Sequence, residues 1–196
     1  MTRGISVLRL IAFPTALFFL CLLLAGCLRA QKAETLARVV RVIDGDSYVV
    51  VYGGEEHQVR AIGVDAPEAS AGAVRRRGET SEDREISLEV EMGRLAATHA
   101  ASLLPPGAMV SLIFDPANEA SRHRDRYGRL LAFVYLLDEN GKPGDFVNEC
   151  MVADGYAEVL TGFDYDPRLK DLLLEAQQRA RRERVGVWGL QPSVFD

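Results

Sequence analysis

The chain has 196 residues, 48% of them apolar and 26% charged, with a formal net charge of −5. It is long enough to bury a core and too balanced in composition to be disordered throughout. One globular domain is expected, and the acidic balance excludes a protein that holds polyanions by bulk basicity.

The apolar content is concentrated at the front. Arg3 and Arg9 form a positive region, Leu10 to Leu24 is an apolar run without a charge, and Leu24-Ala25-Gly26 places small residues ahead of Cys27. This is the pattern of a secretory signal, and its last four residues resemble the lipobox of bacterial lipoproteins, which makes Cys27 a lipid anchor. A plain transmembrane helix is the alternative, against which stand the shortness of the run and the break at Pro14. Residues 1–26 are therefore expected to be removed. That leaves 21 basic against 28 acidic residues, a net charge of −7, so any polyanionic partner has to be met by local basic patches. Residues 27–35 read as a tether, 36–190 as the domain and 191–196 as a tail. With Cys27 lipidated, Cys150 has no partner for an internal disulfide and reads as a small buried core residue.

Strand-like runs follow the tether at Val39 to Ile43, Ser47 to Val51 and Gln58 to Val64, with Gly53-Gly54 as a hairpin turn. Arg75 to Glu85 has no apolar period and reads as an exposed charged loop. A helix is expected next, with Leu88, Met92, Leu95, Ala96, His99 and Leu103 on its inner face and Pro105-Pro106-Gly107 beyond its end. His99 reads as a core residue, and neither His57 nor His123 has a second ligand at zinc spacing. Two further strands are read at Met109 to Phe114 and Leu130 to Leu137, the latter closed by a turn at Asp138 to Gly141. Helices are expected at Phe146 to Asp154, ending at Gly155, and at Arg168 to Arg184, the second with Leu169, Leu172, Leu173, Ala176 and Ala180 inward. Five strands with a helix between the third and fourth, and about three helices in all, define an α+β, mostly β, OB-fold barrel.

Three clusters could carry chemistry. Asp44-Gly45-Asp46 sets two carboxylates at i and i+2 on an extended chain, where they invite a cation; the alternative is a simple Asp-Gly turn. Arg60 to Glu68 places an arginine, Asp65 and Glu68 among apolar residues, where charge is costly without partners. Asp65 could join Asp46 in an oxygen-rich cation site, Glu68 could act on a water and Arg60 could hold an anion; a structural Arg60–Asp65 salt bridge is the other reading. Arg122 to Arg129 gathers four arginines and Tyr127 ahead of a strand, a set suited to phosphate unless it is a solvated basic loop. Together the clusters offer carboxylates for a hard divalent cation, arginines for phosphate charge and one carboxylate for water, which are the requirements of phosphodiester hydrolysis.

In this combination the sequence resembles the staphylococcal-nuclease-like (thermonuclease) family. The resemblance is carried by Asp44-Gly45-Asp46-Ser47, Arg60 to Glu68, Tyr127-Gly128-Arg129, Val147-Asn148-Glu149 and Gly186-Val187-Trp188, in the family's order across most of Leu36 to Leu190. It implies a Ca²⁺-dependent nuclease on an OB-fold, acting on DNA and/or RNA with little sequence preference. Carried over by motif, Asp46 and Asp65 ligate Ca²⁺ through carboxylates and Ala66 through its carbonyl. Arg60 and Arg129 grip the scissile phosphate, Glu68 is the general base or water-orienting group, and Arg126 and Tyr127 hold the neighbouring phosphate.

Ser47 and Ala66 stand where the family usually has threonines. Of the family's base-stacking aromatics the stretch Val159 to Phe163 offers only Phe163, which lowers expected affinity, since one stacked base contributes about 1 to 3 kcal/mol. Trp188 is expected to pack at the C-terminus. The overall expectation is an envelope-anchored nuclease, and a non-catalytic OB-fold nucleic-acid-binding lipoprotein is the alternative.

Overall fold

A computed structural model describes residues 35–70 and 83–190. The expected signal peptide, Cys27 with the tether after it, the Arg75-Arg76-Arg77 run and the tail 191–196 lie outside the described residues. Among those described, no helix is long and apolar enough to cross a membrane.

The elements in chain order are β1 (Thr35–Asp44), β2 (Ser47–Tyr52), β3 (Glu55–Ala61), β4 (Val64–Asp65), α1 (Asp83–Leu103), β5 (Met109–Ile113), β6 (Leu130–Leu137), β7 (Pro143–Phe146), α2 (Val147–Ala153), β8 (Glu158–Val159) and α3 (Pro167–Glu183). Short 3-10 turns cover Pro116–Ser121 and Gly186–Gly189. The main sheet runs β3-β2-β1-β5-β6-β7, and a parallel pairing of β3 with β6 closes five of these strands into a barrel. This is the expected five-stranded OB-type architecture, with three α-helices among the described residues.

Alternation along the strands fills the barrel. Ala37 and Val39 of β1, Tyr48 and Val50 of β2, Val59 of β3, Leu112 of β5 and Phe133 of β6 are buried in one apolar core, as expected for strands with one face inward. The β2–β3 hairpin turns at Gly53 and Gly54, both with positive φ (62° and 89°), a conformation that costs a residue with a Cβ about 1–2 kcal/mol. Asn148, buried at the start of α2, donates its Nδ2 to the Ile62 carbonyl (2.8 Å) and accepts the Val134 N–H on Oδ1 (3.0 Å). One carboxamide thereby joins the exit of β3 to β6. Trp188 is buried at the C-terminal end, as expected, with the Arg181 guanidinium 4.3 Å from its ring centre.

The structure corrects several expectations. The third strand stops at Ala61, because Gly63 (φ 78°) turns the chain there and the Tyr165 ring occupies the space a Cβ would need. Val64 and Asp65 then form a separate short strand against β8. Strand β1 begins at Thr35, ahead of the strand-like run read from Val39. Helix α1 begins at Asp83, so the charged loop ends earlier than its composition suggests. Strand β7 has no apolar alternation in Pro143-Gly144-Asp145-Phe146 and is not among the expected strands; it pairs through Tyr135↔Phe146 and Leu137↔Pro143.

Of the expected inner row of α1, Met92 and Ala96 are buried and Leu103 packs against the core, and Ala100 and, just past the helix, Leu104 join them. Leu95 is exposed, and His99 is half-buried with Nε2 2.8 Å from Asp154 Oδ2 and its ring stacked on Tyr156. The helix turns its small residues inward because the barrel backbone approaches closely there. On α3, Leu173, Ala176 and Ala180 are buried as expected, whereas Leu172 is exposed. Cys150 is half-buried rather than core. Burial, reinforced by Asp145, Asp154 and Glu149, pushes its thiol up to about 11, which leaves little thiolate at neutral pH.

Candidate active site

The β1–β2 hairpin turns at Gly45-Asp46, with Asp44 and Ser47 as register partners. Asp44-Gly45-Asp46 is therefore a tight turn and not extended chain, and the turn itself aims the carboxylate of Asp46. Asp46 is 5% exposed, which requires its oxygens to be satisfied. Oδ1 accepts the Ser47 hydroxyl (3.0 Å) and Oδ2 accepts the Ala66 N–H (2.8 Å). Gly45 is small of necessity, since a Cβ there would lie 2.6 Å from that of Ala66.

Arg60 leaves the end of β3, where its register partners are Ser47 on β2 and Leu131 on β6. Its guanidinium forms an ion pair with Asp46 through Nη1 and donates from Nη2 to Asp65 Oδ1 at 2.6 Å. The anticipated Arg60–Asp65 salt bridge is thus present, as one half of a three-membered cluster in which a single cation bridges two carboxylates. Burial lowers the pKa of Arg60 and Asp65 opposes that shift. Asp65 stands on β4 and Ala66 follows it. Glu68, half-buried, lies three residues beyond Asp65 on an irregular segment.

Barrel closure brings in the fourth charge. Val59 and Leu130 are partners across the parallel β3–β6 seam, so Arg129, immediately before β6, arrives beside the strand that carries Arg60. The electrostatics agree: the Arg129 charge acts on Arg60 and on Asp44. Burial raises the Asp44 carboxyl above the usual carboxylate range, a shift opposed by Ser47, Arg60 and Arg129.

Arg129 is held by Asp125, a residue outside the set nominated from sequence. One Asp125 carboxylate oxygen accepts the N–H groups of Tyr127 (2.9 Å) and Arg129 (3.0 Å), and the other accepts Arg129 Nε (2.7 Å). The Gly128 N–H also donates to the Asp125 carbonyl. Asp at the first and Gly at the fourth position of Asp125-Arg126-Tyr127-Gly128 is a turn signature that the sequence carries. With Nε engaged, the Nη groups of Arg129 are the part of the fork that can face an anion. Arg126 donates to the Tyr127 hydroxyl (2.7 Å) and stacks on its ring, and Tyr127 is 69% exposed. Arg126 and Tyr127 therefore form the solvent-facing tip of the turn whose inner end is Arg129.

Replacing Asp125 with asparagine preserves an acceptor for the two N–H groups and removes the charge that fixes the guanidinium. We expect any reaction that Arg129 serves to slow about tenfold to a hundredfold, the scale of a misplaced reacting group, while the melting temperature changes little. Steady-state kinetics and a thermal melt would check this.

Among the described residues no three His, Cys, Asp or Glu side chains gather as metal ligands. The oxygen donors that meet are two carboxylates, Asp46 and Asp65, beside the Ala66 backbone. This all-oxygen chemistry fits a hard cation such as Ca²⁺ and not zinc. His57 and His123 sit away from it, against Tyr52 and Phe114 respectively. Phe163 is 63% exposed on a loop whose Thr161 and Phe163 carbonyls accept Lys170 Nζ.

A closed five-stranded barrel with carboxylates and arginines drawn together at the end of β3 defines an OB-type protein with a charged cluster at its barrel seam. The family model described as staphylococcal nuclease homologue matches residues 58–189, and the chain belongs to that family. It is 31% identical over 170 residues to endonuclease YncB of Bacillus subtilis, covering 84% of this chain and 67% of that one. It is 30% identical over 156 residues to an uncharacterized endonuclease of Escherichia coli O157:H7, covering 80% and 78%. It is also 32% identical over 160 residues to uncharacterized protein MJ1439 of Methanocaldococcus jannaschii, covering 77% and 70%.

Proposed function

We propose that this chain is a Ca²⁺-dependent nuclease that hydrolyses phosphodiesters of DNA and/or RNA with little sequence preference and is held in the bacterial cell envelope by lipid on Cys27. The observation that carries the catalytic reading is the convergence of Asp46, Asp65, Arg60 and Arg129 at the β3–β6 seam. Family membership and the endonuclease names of relatives at about 30% identity support the reaction class.

Asp46, Asp65 and the Ala66 carbonyl would hold Ca²⁺, which when bound supplies positive charge that polarises the phosphate. Arg60 and Arg129 bind the scissile phosphate and stabilise the charge that gathers on its oxygens as the bond breaks. Glu68 orients the attacking water and takes its proton. Arg126 and Tyr127 hold the next phosphate along the strand, which fixes the register of the scissile bond. Salt should weaken substrate binding markedly, because the acidic chain attracts the polymer only through this local basic surface.

The test is cleavage of single-stranded DNA by the full chain in detergent micelles, with Ca²⁺, with Mg²⁺ and with chelator, beside Glu68→Ala. Ca²⁺-dependent cleavage that is lost in the variant is the expected result. Intact DNA under every condition, with DNA still bound by a folded protein, would replace the enzyme with a binding module. For the anchor, metabolic labelling with a fatty acid should mark the wild type and not Cys27→Ser, and equal labelling of both would remove the lipid from Cys27.

A further inference from the structure

The catalytic reading leaves open what fixes Glu68, which lies on an irregular segment following β4. The neighbour of that segment is helix α1. Gly93, buried on α1, faces the Glu68 backbone so closely that a Cβ on it would collide with the carbonyl carbon and oxygen of Glu68 and would lie 2.5 Å from the Ala69 nitrogen. Non-bonded heavy atoms settle about 3.5 Å apart, so any side chain at 93 demands a separation of roughly 1 Å between helix and segment.

Which partner yields follows from how each is anchored. Helix α1 is held by Met92, Ala96, Ala100 and Leu104, all fully buried. It is also held by His99, which pairs with Asp154 at 2.8 Å and stacks on Tyr156. On the same helix, Ala96 abuts the β1–β2 turn, where its Cβ is 3.0 Å from the place a Gly45 Cβ would occupy. The 66–69 segment follows the two-residue β4 and has no strand or helix ladder of its own; it is anchored by the Ala66 N–H on Asp46 Oδ2. A collision at Gly93 is therefore absorbed by Glu68 and not by the helix.

We propose that Gly93 is a positioning residue for Glu68, setting the depth of that carboxylate in the site through direct backbone contact between helix α1 and the segment that bears it. The inference rests on the reading of Glu68 as the group that acts on water. The absence of a side chain at 93 brings the helix to the segment, and the helix then serves as the floor on which Glu68 stands. Arg60 and Arg129 are positioned from other elements, whereas Asp46 is tied to the same segment by the Ala66 N–H, two residues before Glu68.

The experiment is a double-mutant cycle on the full chain in detergent with single-stranded DNA and Ca²⁺, comparing wild type, Gly93→Ala, Glu68→Ala and the double variant. Alanine is a stronger helix former than glycine, so α1 should persist, while displacement of the Glu68 backbone lowers the melting temperature of Gly93→Ala and leaves the chain folded at the assay temperature. Its kcat should fall about 100-fold, with KM changed by no more than about twofold. In the Glu68→Ala background the same substitution should lower the residual rate no further.

Wild-type kcat in Gly93→Ala would overturn the proposal. So would a loss of the same size in the Glu68→Ala background, which would route the effect through the fold or the other site residues. A Gly93→Ala chain found unfolded by circular dichroism at the assay temperature would assign the contact to stability and overturn it equally. Near-normal turnover in Glu68→Ala instead removes the role of Glu68 itself, an outcome distinct from the other three.

Discussion

Arg60→Lys is expected to lower turnover about 100- to 1000-fold while the barrel remains folded. The magnitude is that of removing one preorganised donor to a developing oxyanion. Lysine keeps a positive charge near Asp46 and Asp65, so the two carboxylates are not left bare. It cannot reproduce the planar fork that reaches Asp46 from Nη1 and Asp65 from Nη2 at the same time. Arg60→Ala confuses two effects, because it also strands Asp46 at 5% exposure. Rates for the lysine variant, with a melt to verify folding, would check the expectation; a rate within a few-fold of wild type would remove Arg60 from the reaction.

Asn148→Ala should destabilise the fold more than Asp125→Asn or Arg60→Lys, although Asn148 touches none of the charged residues. Its carboxamide is fully buried and serves both the Ile62 carbonyl and the Val134 N–H. Truncation leaves a donor and an acceptor unsatisfied, each costing about 1 to 3 kcal/mol. For a chain of this size the melting temperature should drop by roughly 5 to 15 °C. Because Ile62 adjoins Ala61 at the end of β3, activity should fall in the same temperature range in which the seam opens. Denaturant unfolding would measure the loss, and a midpoint unchanged from wild type would show that the two backbone groups find other partners.

Much of this molecule is legible in its sequence. Alternation in Val39 to Ile43, Ser47 to Val51 and Leu130 to Leu137 announces the barrel strands, and Gly53-Gly54 announces a hairpin, because those signals are local and depend on one buried face. Strand β7 is not legible, since it is held by pairing with Tyr135 and Leu137 and not by its own pattern. The inner face of α1 misleads for a related reason. Apolar bulk points to Leu95 and His99, whereas the close approach of the Gly45 turn and the Glu68 segment selects Gly93, Ala96 and Ala100.

The site is legible as residue types and not as an arrangement. Asp46, Arg60, Asp65 and Arg129 can be nominated from charge among apolar neighbours, but that one arginine bridges two carboxylates depends on the hairpin turn and β4 meeting. Asp125 escapes notice because its role is to hold Arg129, and a carboxylate within a basic loop resembles ordinary charge balance. Its turn signature, Asp with Gly three residues later, is the clue the sequence offers.

The parallel seam that closes the barrel has a consequence for when the enzyme exists at all. It joins residues 59–61 to residues 130–132, so the two arginines of the site come from stretches about seventy residues apart. Such non-local pairings form late, after the entropy of closing a long loop has been met. A chain threaded out only as far as Gly128 would carry Asp46, Arg60 and Asp65 but neither Arg129 nor the strand that seals the barrel. Hydrolytic competence would then be withheld until the second half of the polypeptide has emerged.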